Sequence, residues 1–247
     1  MVKLFIVVIN LSNLIYQIYM CDIKKNIKNI KNNIKKIEEN LKLEKNSVKL
    51  LAVSKTQSIE NIKEAYNSGQ QDFGENYLQE SIEKISKLKD LPITWHFIGH
   101  VQSNKSKLIA EYYNWVHSID KISTLKKINK FRENLNTKIN VCIQVNIDQE
   151  NTKSGIQLDE VENFLNEASV FKNINIRGLM SIPKYDPEYE NQYKTFMKIR
   201  KLFDSLVIKG YKLDTLSIGM SSDYEAAIAA GSSIVRIGTS IFGKREK

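Results

Sequence analysis

The sequence predicts an α/β fold because eight short apolar runs alternate with amphipathic segments and no long insertion separates them. The predicted strands are residues 48–55, 72–75, 93–99, 115–120, 139–146, 175–182, 215–219 and 232–239. The predicted helices are residues 59–68, 77–88, 104–113, 122–135, 158–171, 188–208 and 224–230. This alternation favours a closed (β/α)8, or TIM, barrel over an open doubly wound sheet. Neither a G-x-G-x-x-G nor a G-x-x-x-x-G-K-[ST] pattern occurs, which excludes the dinucleotide-binding and P-loop interpretations.

The first predicted strand, VKLLAVSK at residues 48–55, is apolar on both faces until its last residues. Strands that are buried on both faces are typical of parallel sheets. Lys55 ends this strand, and the carboxyl ends of the strands form the mouth of an α/β barrel. A lone lysine there is most often the first residue of a surface loop. In a pocket, however, desolvation lowers the pKa of a lysine and makes its amine available for a Schiff base.

Two different segments precede that strand. Residues 1–19 look superficially like a signal peptide or membrane anchor, but polar residues interrupt the apolar run and no small-residue cleavage site follows. We expect a disordered leader or an upstream in-frame extension there, followed by a single domain over residues 20–247. At the start of that domain, Asp22 is positioned to cap an extra N-terminal helix. The apolar stripe of this helix favours packing on the barrel over a coiled coil. The stripe consists of Ile23, Ile27, Ile30, Ile34, Ile37 and Leu41.

Composition narrows the classes of function. The net charge is +9, with 37 Lys and Arg against 28 Asp and Glu, but the lysines are spread along helical segments instead of clustering with aromatic residues. We interpret them as solvated helix faces and predict no nucleic-acid partner. Cys21 and Cys142 fit neither a disulfide framework nor a metal site, which predicts a reducing, cytoplasmic location. We expect no bound metal and no membrane partner.

Glycine-rich polar clusters follow the last two predicted strands. These clusters, SIGMSSD and RIGTS, occupy the position where barrels commonly bind phosphate. Their glycines give the backbone room, and their hydroxyl groups can donate hydrogen bonds. The residues concerned are Ser217, Gly219, Ser221, Gly238 and Thr239. By themselves they could be helix caps and tight turns, but two such loops opposite Lys55 favour the phosphate interpretation.

Arg236 shares its strand face with Ile234 and is therefore predicted to project into the barrel mouth. A buried cation requires an acceptor, which would be either a carboxylate such as Glu75 or an uncharged ring nitrogen. A phosphate site, a lysine amine across the mouth and an arginine between them together describe a pocket for pyridoxal 5′-phosphate (PLP).

Six blocks of this sequence can be compared with known families: LLAVSKT, FGENYLQE, WHFIGHVQSNKSK, NTKSGI, RGLMSIP and LSIGMSSDYEAAIAAGSSIVRIGTSIFG. In spacing and order they resemble the pyridoxal phosphate homeostasis protein family (YggS/PROSC) across residues 20–243. The resemblance implies a fold-type III PLP-binding barrel, similar to the N-terminal domain of alanine racemase. It also implies that Lys55 carries PLP as an internal aldimine and that Arg236 contacts the pyridine nitrogen. The implied phosphate contacts are Ser217, Gly219, Ser221, Gly238 and Thr239, and the implied ring contacts are Asn76, His96 and Met180.

Two positions depart from the pattern of that family. His100 stands where the family typically has a proline after Phe-Ile-Gly, and Ser222 replaces a common aspartate in the Met-Ser-Asp-Asp block. We expect neither residue to touch the cofactor. His100 is also a poor candidate for a metal ligand, because the other histidines lie on separate elements and no Cys or carboxylate cluster joins them.

The resemblance implies a carrier and buffer that holds PLP as a lysine Schiff base, takes part in intracellular PLP homeostasis and delivers the cofactor to apo PLP-dependent enzymes. The alternative is a PLP-dependent amino-acid racemase or decarboxylase. The sequence ends eight residues after Thr239, so we expect no second domain to supply the acid or base on the opposite face that barrel racemases use. The prediction is therefore a monomeric protein that is not an enzyme and has no catalytic residue.

Overall fold

A computed structural model describes residues 22–148 and 154–243 and has a closed barrel of eight strands in the order β1 to β8. Neighbouring strands are parallel, so the predicted (β/α)8 fold is confirmed. The strands are β1 (Lys49–Val53), β2 (Asp72–Glu75), β3 (Thr94–Phe97), β4 (Trp115–Ile119), β5 (Ile139–Gln144), β6 (Ile174–Met180), β7 (Thr215–Ser217) and β8 (Ile234–Ile237). The helices are α1 (Ile23–Asn40), α2 (Ile59–Asn67), α3 (Leu78–Lys87), α4 (Ser106–Tyr112), α5 (Ile122–Arg132), α6 (Val161–Ala168), α7 (Tyr189–Ile208), α8 (Tyr224–Ala229) and α9 (Thr239–Phe242).

The observed elements are mostly shorter than the predicted ones. The predicted runs 93–99 and 215–219 end as β3 at Phe97 and as β7 at Ser217, which leaves the following residues in loops. Two predicted helices begin with a 3₁₀ turn, at Ser103–Lys105 before α4 and at Leu158–Glu160 before α6. The short helix α9 was not predicted, because a single turn carries no periodic apolar pattern.

Helix α1 packs on the barrel, which is the arrangement that its apolar stripe favoured. Asp22 caps it by accepting a hydrogen bond from the Lys25 amide at 2.8 Å. The side chain of Asn26 donates to the carbonyl of Ile241 at 2.9 Å, which ties α1 to α9. The buried stripe consists of Ile23, Ile27, Ile30 and Ile34. The predicted leader, residues 1–19, lies outside the described residues.

Two layers of side chains are buried, and they differ in character. The main apolar core lies between the strands and the surrounding helices. Inside the barrel lies a smaller apolar cluster of Trp115, Cys142 and Met180. Polar side chains are buried as well; they include His96, His117, Ser217 and Arg236, each at most 4% exposed. Within the described residues, no helix is long and apolar enough to cross a bilayer.

Candidate functional site

A cavity of about 510 Å³ opens at the carboxyl ends of the strands, the end where barrels of this kind place their chemistry. Lys55 and Arg236 bring two cations to it, and none of its described lining residues is acidic. The lining residues are Val53, Lys55, Asn76, Ile98, Ile182, Met220, Ser221, Ser222, Arg236, Gly238, Thr239 and Ser240. The volume is in the range of small-molecule sites, about 300–1,000 Å³. The cavity therefore suits an anionic ligand with an apolar body.

Lys55 lies half-buried just beyond β1, and hydrogen bonds on both sides of it fix the main chain. The Ser54 amide donates to the Gly74 carbonyl at 2.9 Å, and the Thr56 amide donates to Glu80 Oε1 at 2.7 Å. Thr56 has a left-handed φ of 65°, a conformation that non-glycine residues adopt only when their surroundings hold it. The main chain at Lys55 is thus positioned by the hydrogen bonds of Ser54 and Thr56.

A buried ion cluster on the outer side of β1 and β2 supplies part of this support. We call it the outer cluster; it consists of Ser54, Glu75, Glu80 and Lys84. Lys84 Nζ donates to Ser54 O at 2.8 Å, and it contacts Glu75 Oε1 at 3.1 Å and Glu80 Oε1 at 2.5 Å. Ser54 Oγ donates to Glu75 Oε1 at 2.6 Å. Burial raises the pKa of Glu75, although the charge of Lys84 and the hydrogen bond from Ser54 act in the opposite direction.

The outer cluster was not predicted from the sequence. The available signal was the spacing of Glu80 and Lys84, four residues apart on one predicted helix, which is typical of a helical ion pair. That spacing does not distinguish an exposed pair from one that lies against a strand. Glu75 was considered as a partner for Arg236, but its carboxylate pairs with Lys84 instead.

Arg236 lines the cavity from β8 and is 4% exposed. Its Nη1 donates to the Ser217 carbonyl at 2.5 Å and to Ser217 Oγ at 2.8 Å, and its Nη2 donates to the Ser181 carbonyl at 3.0 Å. Burial lowers the pKa of Arg236 to about 10, so the guanidinium is still charged at neutral pH. An arginine has five N–H donors, and within the described residues these bonds leave at least one of them for a ligand.

The two loops predicted to bind phosphate meet at the same cavity. In the first, Gly219 has a φ of 94°, and a Cβ there would lie 2.6 Å from the Cβ of Ala227, so only glycine fits without strain. In the second, Gly238 precedes the first turn of α9. Several backbone N–H groups of these loops have no hydrogen-bond acceptor within the described residues, as is usual for donors that face water or a ligand. They belong to Ser221, Ser222, Thr239 and Ser240.

The structure brings six of the ten predicted cofactor-binding residues to the cavity: Lys55, Asn76, Ser221, Arg236, Gly238 and Thr239. Asn76 is held by a close backbone approach, since a Cβ on Gly99 would lie 2.2 Å from the Asn76 carbonyl oxygen. The ring contact expected from Asn76 and the phosphate contacts expected from Ser221, Gly238 and Thr239 stay predictions.

Four predicted contact residues are not among the described lining residues of this cavity, and their contacts with the cofactor stay predictions. They are His96, Met180, Ser217 and Gly219. His96 is wholly buried, and its ring nitrogens lie next to Asp72 and His117 inside the barrel. Met180 is 1% exposed and packs in the interior apolar cluster. The Ser217 hydroxyl contacts Arg236, and the Gly219 carbonyl accepts from the Arg236 amide, so both support the arginine.

The two positions that depart from the family pattern, His100 and Ser222, lie at different distances from the cavity. His100 is exposed in the loop after β3 and does not line this cavity, whereas Ser222 lies at its rim. Burial raises the pKa of Cys142 to about 12, so its thiol is neutral inside the barrel. Across residues 22–148 and 154–243, no group of three or more His, Cys, Asp or Glu side chains is arranged to hold a metal ion.

Comparison with known proteins agrees with this geometry. The alanine racemase N-terminal domain family matches residues 26–246. The pyridoxal phosphate homeostasis protein of Escherichia coli K12 is 46% identical over 202 residues, which cover 81% of this chain and 86% of that protein. This chain belongs to the pyridoxal phosphate homeostasis protein family. A second member, from Vibrio alginolyticus, is 45% identical over 92% of this chain and 99% of its own length.

Solved structures of the family share the barrel. PipY from Synechococcus elongatus PCC7942 has been solved without PLP, and that structure is 34% identical to this chain with a TM-score of 0.76, covering 85% of this chain and 100% of PipY. A structure of PipY with PLP bound is 33% identical, with a TM-score of 0.74 and the same coverage. Alanine racemase from Clostridium difficile 630 is 18% identical with a TM-score of 0.69, over 92% of this chain and 57% of the racemase, and shares the fold.

Proposed function

We propose that this protein holds PLP as a Schiff base on Lys55 and takes part in intracellular PLP homeostasis as a carrier and buffer. The observation that carries the proposal is the cavity itself, in which Lys55 and Arg236 lie with two loops rich in N–H donors and without an acidic residue among the described lining. The names of its relatives and the PLP-bound structure of PipY support the choice of ligand.

Each part of the cavity has a proposed role. The loop N–H groups of Ser221 and Thr239 bind the phosphate, and the Lys55 amine forms the covalent link. The described residues also fit the pyridine ring, since Asn76, Ile98 and Ile182 provide one polar and two apolar walls. Bound PLP supplies an electrophilic aldehyde and a ring that can withdraw electrons.

Arg236 is the reason to propose a carrier instead of a catalyst. Its guanidinium stays charged at neutral pH and donates hydrogen bonds only, so it suits an uncharged ring nitrogen. Its positive charge disfavours protonation of that nitrogen, and an unprotonated ring withdraws electrons less strongly. Weak electron withdrawal slows any reaction that needs a carbanion, but it does not hinder storage of the cofactor.

An absorption titration tests the proposed binding site. PLP added to the purified protein is expected to produce a Schiff-base absorption band that borohydride removes. Lys55→Ala is expected to abolish the reducible band while retaining weak, reversible binding through the phosphate loops. Lys63→Ala, which changes an exposed lysine on α2, is the matched control and is expected to behave as wild type. A reducible band of full intensity in Lys55→Ala would refute the assignment.

The alternative is a PLP-dependent racemase or decarboxylase. It is considered because alanine racemase shares this fold. We propose that the wild-type protein exchanges PLP with amino acids but shows no racemisation or decarboxylation above background. Incubation of the PLP-loaded protein with L-alanine in deuterated water measures exchange of the α-hydrogen. Catalytic exchange that Lys55→Ala abolishes would favour the enzyme.

The proposed setting is a cytoplasmic monomer that delivers PLP to apo PLP-dependent enzymes.

A further inference from the structure

A continuous line of polar side chains runs through the inside of the barrel from its amino-terminal end to the cavity. His96 Nε2 lies 3.0 Å from Asp72 Oδ1, and His96 Nδ1 lies 2.9 Å from His117 Nε2. His117 Nδ1 lies 2.8 Å from Ser217 Oγ, which in turn is 2.8 Å from Arg236 Nη1. We call this line the axial chain; it consists of Asp72, His96, His117, Ser217 and Arg236. It links four strands to the cation of the cavity.

The two ends of the axial chain are fixed in their hydrogen-bonding roles. Arg236 can only donate, so Ser217 Oγ accepts at that end. At the other end Asp72 is an acceptor when ionised, and burial works against ionisation. Asp72 Oδ1 nevertheless accepts from Lys49 Nζ at 3.0 Å, and the hydrogen bonds from His96 and Lys49 act to lower the pKa of Asp72. Asp72 is therefore an acceptor at neutral pH.

Only one set of neutral imidazoles joins these two ends. If His96 and His117 each carry their proton on Nε2, then His96 donates to Asp72 and His117 donates to His96 Nδ1. The Ser217 hydroxyl then donates to His117 Nδ1 and accepts from Arg236. Every hydrogen bond of the axial chain then has one donor and one acceptor, and the direction of donation runs from the arginine to the aspartate.

The reverse set is disfavoured at two places. A proton on His117 Nδ1 would make Ser217 Oγ accept twice, and its own hydroxyl hydrogen would have no acceptor within the described residues. A proton on His96 Nδ1 alone would place a bare nitrogen against the Asp72 carboxylate. Double protonation of His96 would remove that clash, but burial lowers the pKa of both histidines, with Asp72 opposing the shift at His96 only.

Three neighbouring side chains among the described residues, Trp115, Arg177 and Lys49, can donate hydrogen bonds but offer no acceptor to the axial chain. The ring of Trp115 stacks on His96, with centroids 5.4 Å apart and an angle of 11° between the rings. The guanidinium of Arg177 lies over the Trp115 ring, with its Cζ 4.9 Å from the ring centre. Lys49 shares the Asp72 oxygen at 3.0 Å and reaches solvent at the amino-terminal end of the barrel.

We propose that the axial chain is a positioning device for Arg236, in which Asp72 sets a single direction of donation and Ser217 receives Arg236 Nη1. A buried hydroxyl with one fixed orientation holds one edge of the guanidinium, so that the other edge faces the ligand ring. Ser217 is accordingly a positioning residue on the ring side of the site. The direction of the chain stands on its own, whereas its effect on the ligand rests on the proposed function.

The direction can be measured in the protein without PLP. The whole polypeptide has three histidines, so long-range ¹H–¹⁵N spectra of the imidazoles are simple to interpret. At pH 7 we expect His96 and His117 to be neutral with the proton on Nε2. The exposed His100 provides an internal reference for an imidazole in water, and His100→Ala and His117→Gln assign the signals. A proton on Nδ1 of His117, or a charged His96, would overturn the proposal.

The effect on the ligand is measured with PLP and with pyridoxal, which lacks the phosphate. We expect Ser217→Ala to weaken binding of both ligands by the same factor, roughly tenfold, because one hydrogen bond of a charged group is lost. Weakening of PLP alone would instead make Ser217 a phosphate contact and would overturn its positioning role. Ser232→Ala, which removes a buried hydroxyl that donates to main-chain carbonyls, is the matched control and is expected to bind both ligands as wild type.

These two measurements also separate this proposal from the proposed function. If the wild-type protein bound neither PLP nor pyridoxal, the proposed function would fail while the imidazole spectra would still decide the direction of the chain. If PLP bound and Ser217→Ala left the affinity for both ligands unchanged, the positioning role would fail and the proposed function would stand. Folding of the variant is checked by its tryptophan fluorescence and by its imidazole signals, which are expected to match those of the wild type.

Discussion

Two buried polar networks support the two cations of the cavity, and they are built in opposite ways. The outer cluster lies between the strands and the helices and is ionic, with Lys84 between Glu75 and Glu80. The axial chain lies inside the barrel and has uncharged groups between an aspartate and an arginine. The first network holds main-chain atoms beside Lys55, while the second holds the side chain of Arg236 directly.

The difference shows how each network fits its task. A buried ammonium group can donate to several oxygens at once, so Lys84 fixes Ser54 O and two carboxylates together. Such a group is costly if it loses its partners, which makes the outer cluster sensitive to removal of one member. A neutral chain gives a fixed direction at a smaller cost for each bond. We therefore expect changes to the outer cluster to affect stability and changes to the axial chain to affect ligand geometry.

The largest expected effect is that of Lys84→Met. The substitution keeps the apolar stem but leaves the buried Glu75 carboxylate without its cation, so we expect the free energy of unfolding to fall by about 3–5 kcal/mol. Urea denaturation measures this change. Lys87→Met is the matched control, because Lys87 and Glu83 form a pair of the same spacing on the same helix in contact with solvent. We expect it to cost at most about 0.5 kcal/mol. Equal effects of the two substitutions would contradict the contrast.

A smaller effect is expected from pH. Burial lowers the folded-state pKa of His96 and His117 below about 6.5, the value in an unfolded chain. As the pH falls below 6.5, the unfolded chain binds protons that the native chain does not, so stability is lost on acidification. The slope is at most about 1.4 kcal/mol per pH unit for each histidine. Glu75 works in the opposite direction, because its raised pKa favours proton uptake by the native state.

Urea denaturation at several pH values between 7.5 and 5.5 measures this slope. We expect His117→Gln to reduce the slope, since glutamine can donate and accept in the same chain without titrating. His100→Gln changes an exposed histidine and is expected to leave the slope as in wild type. If the pH dependence of the free energy of unfolding did not change in His117→Gln, the protons would be taken up by groups other than His117. The contrast between the two networks would then lose its support from pH.

The smallest expected effect is that of removing residues 1–19. The first residue of either network along the sequence is Ser54, and α1 begins at Ile23. A chain that starts at Met20 is therefore predicted to melt and to bind PLP like the full chain. Thermal unfolding and the absorption titration compare the two. A clear loss of stability on truncation would show that residues 1–19 contribute to the fold.

The barrel and part of the site could be predicted from the sequence because strand alternation places residues at strand ends. This argument found Lys55 and Arg236 and, in the two glycine-rich loops, Ser221, Gly238 and Thr239, all of which line the cavity. The depth of His96 could not be predicted, because periodicity gives the face on which a side chain lies but not how deep it lies in a barrel. Lys84 and His117 were missed for a related reason, since their partners come from other elements and only the folded chain brings them together.

The central claim is that Lys55 is the residue that holds PLP. The most direct test is to incubate the protein with PLP, reduce it with borohydride, digest it and locate the added mass by peptide mass spectrometry. We predict that the phosphopyridoxyl group is found on Lys55 and that it disappears from this peptide in Lys55→Ala. A phosphopyridoxyl group confined to another lysine, with Lys55 unmodified, would contradict the account.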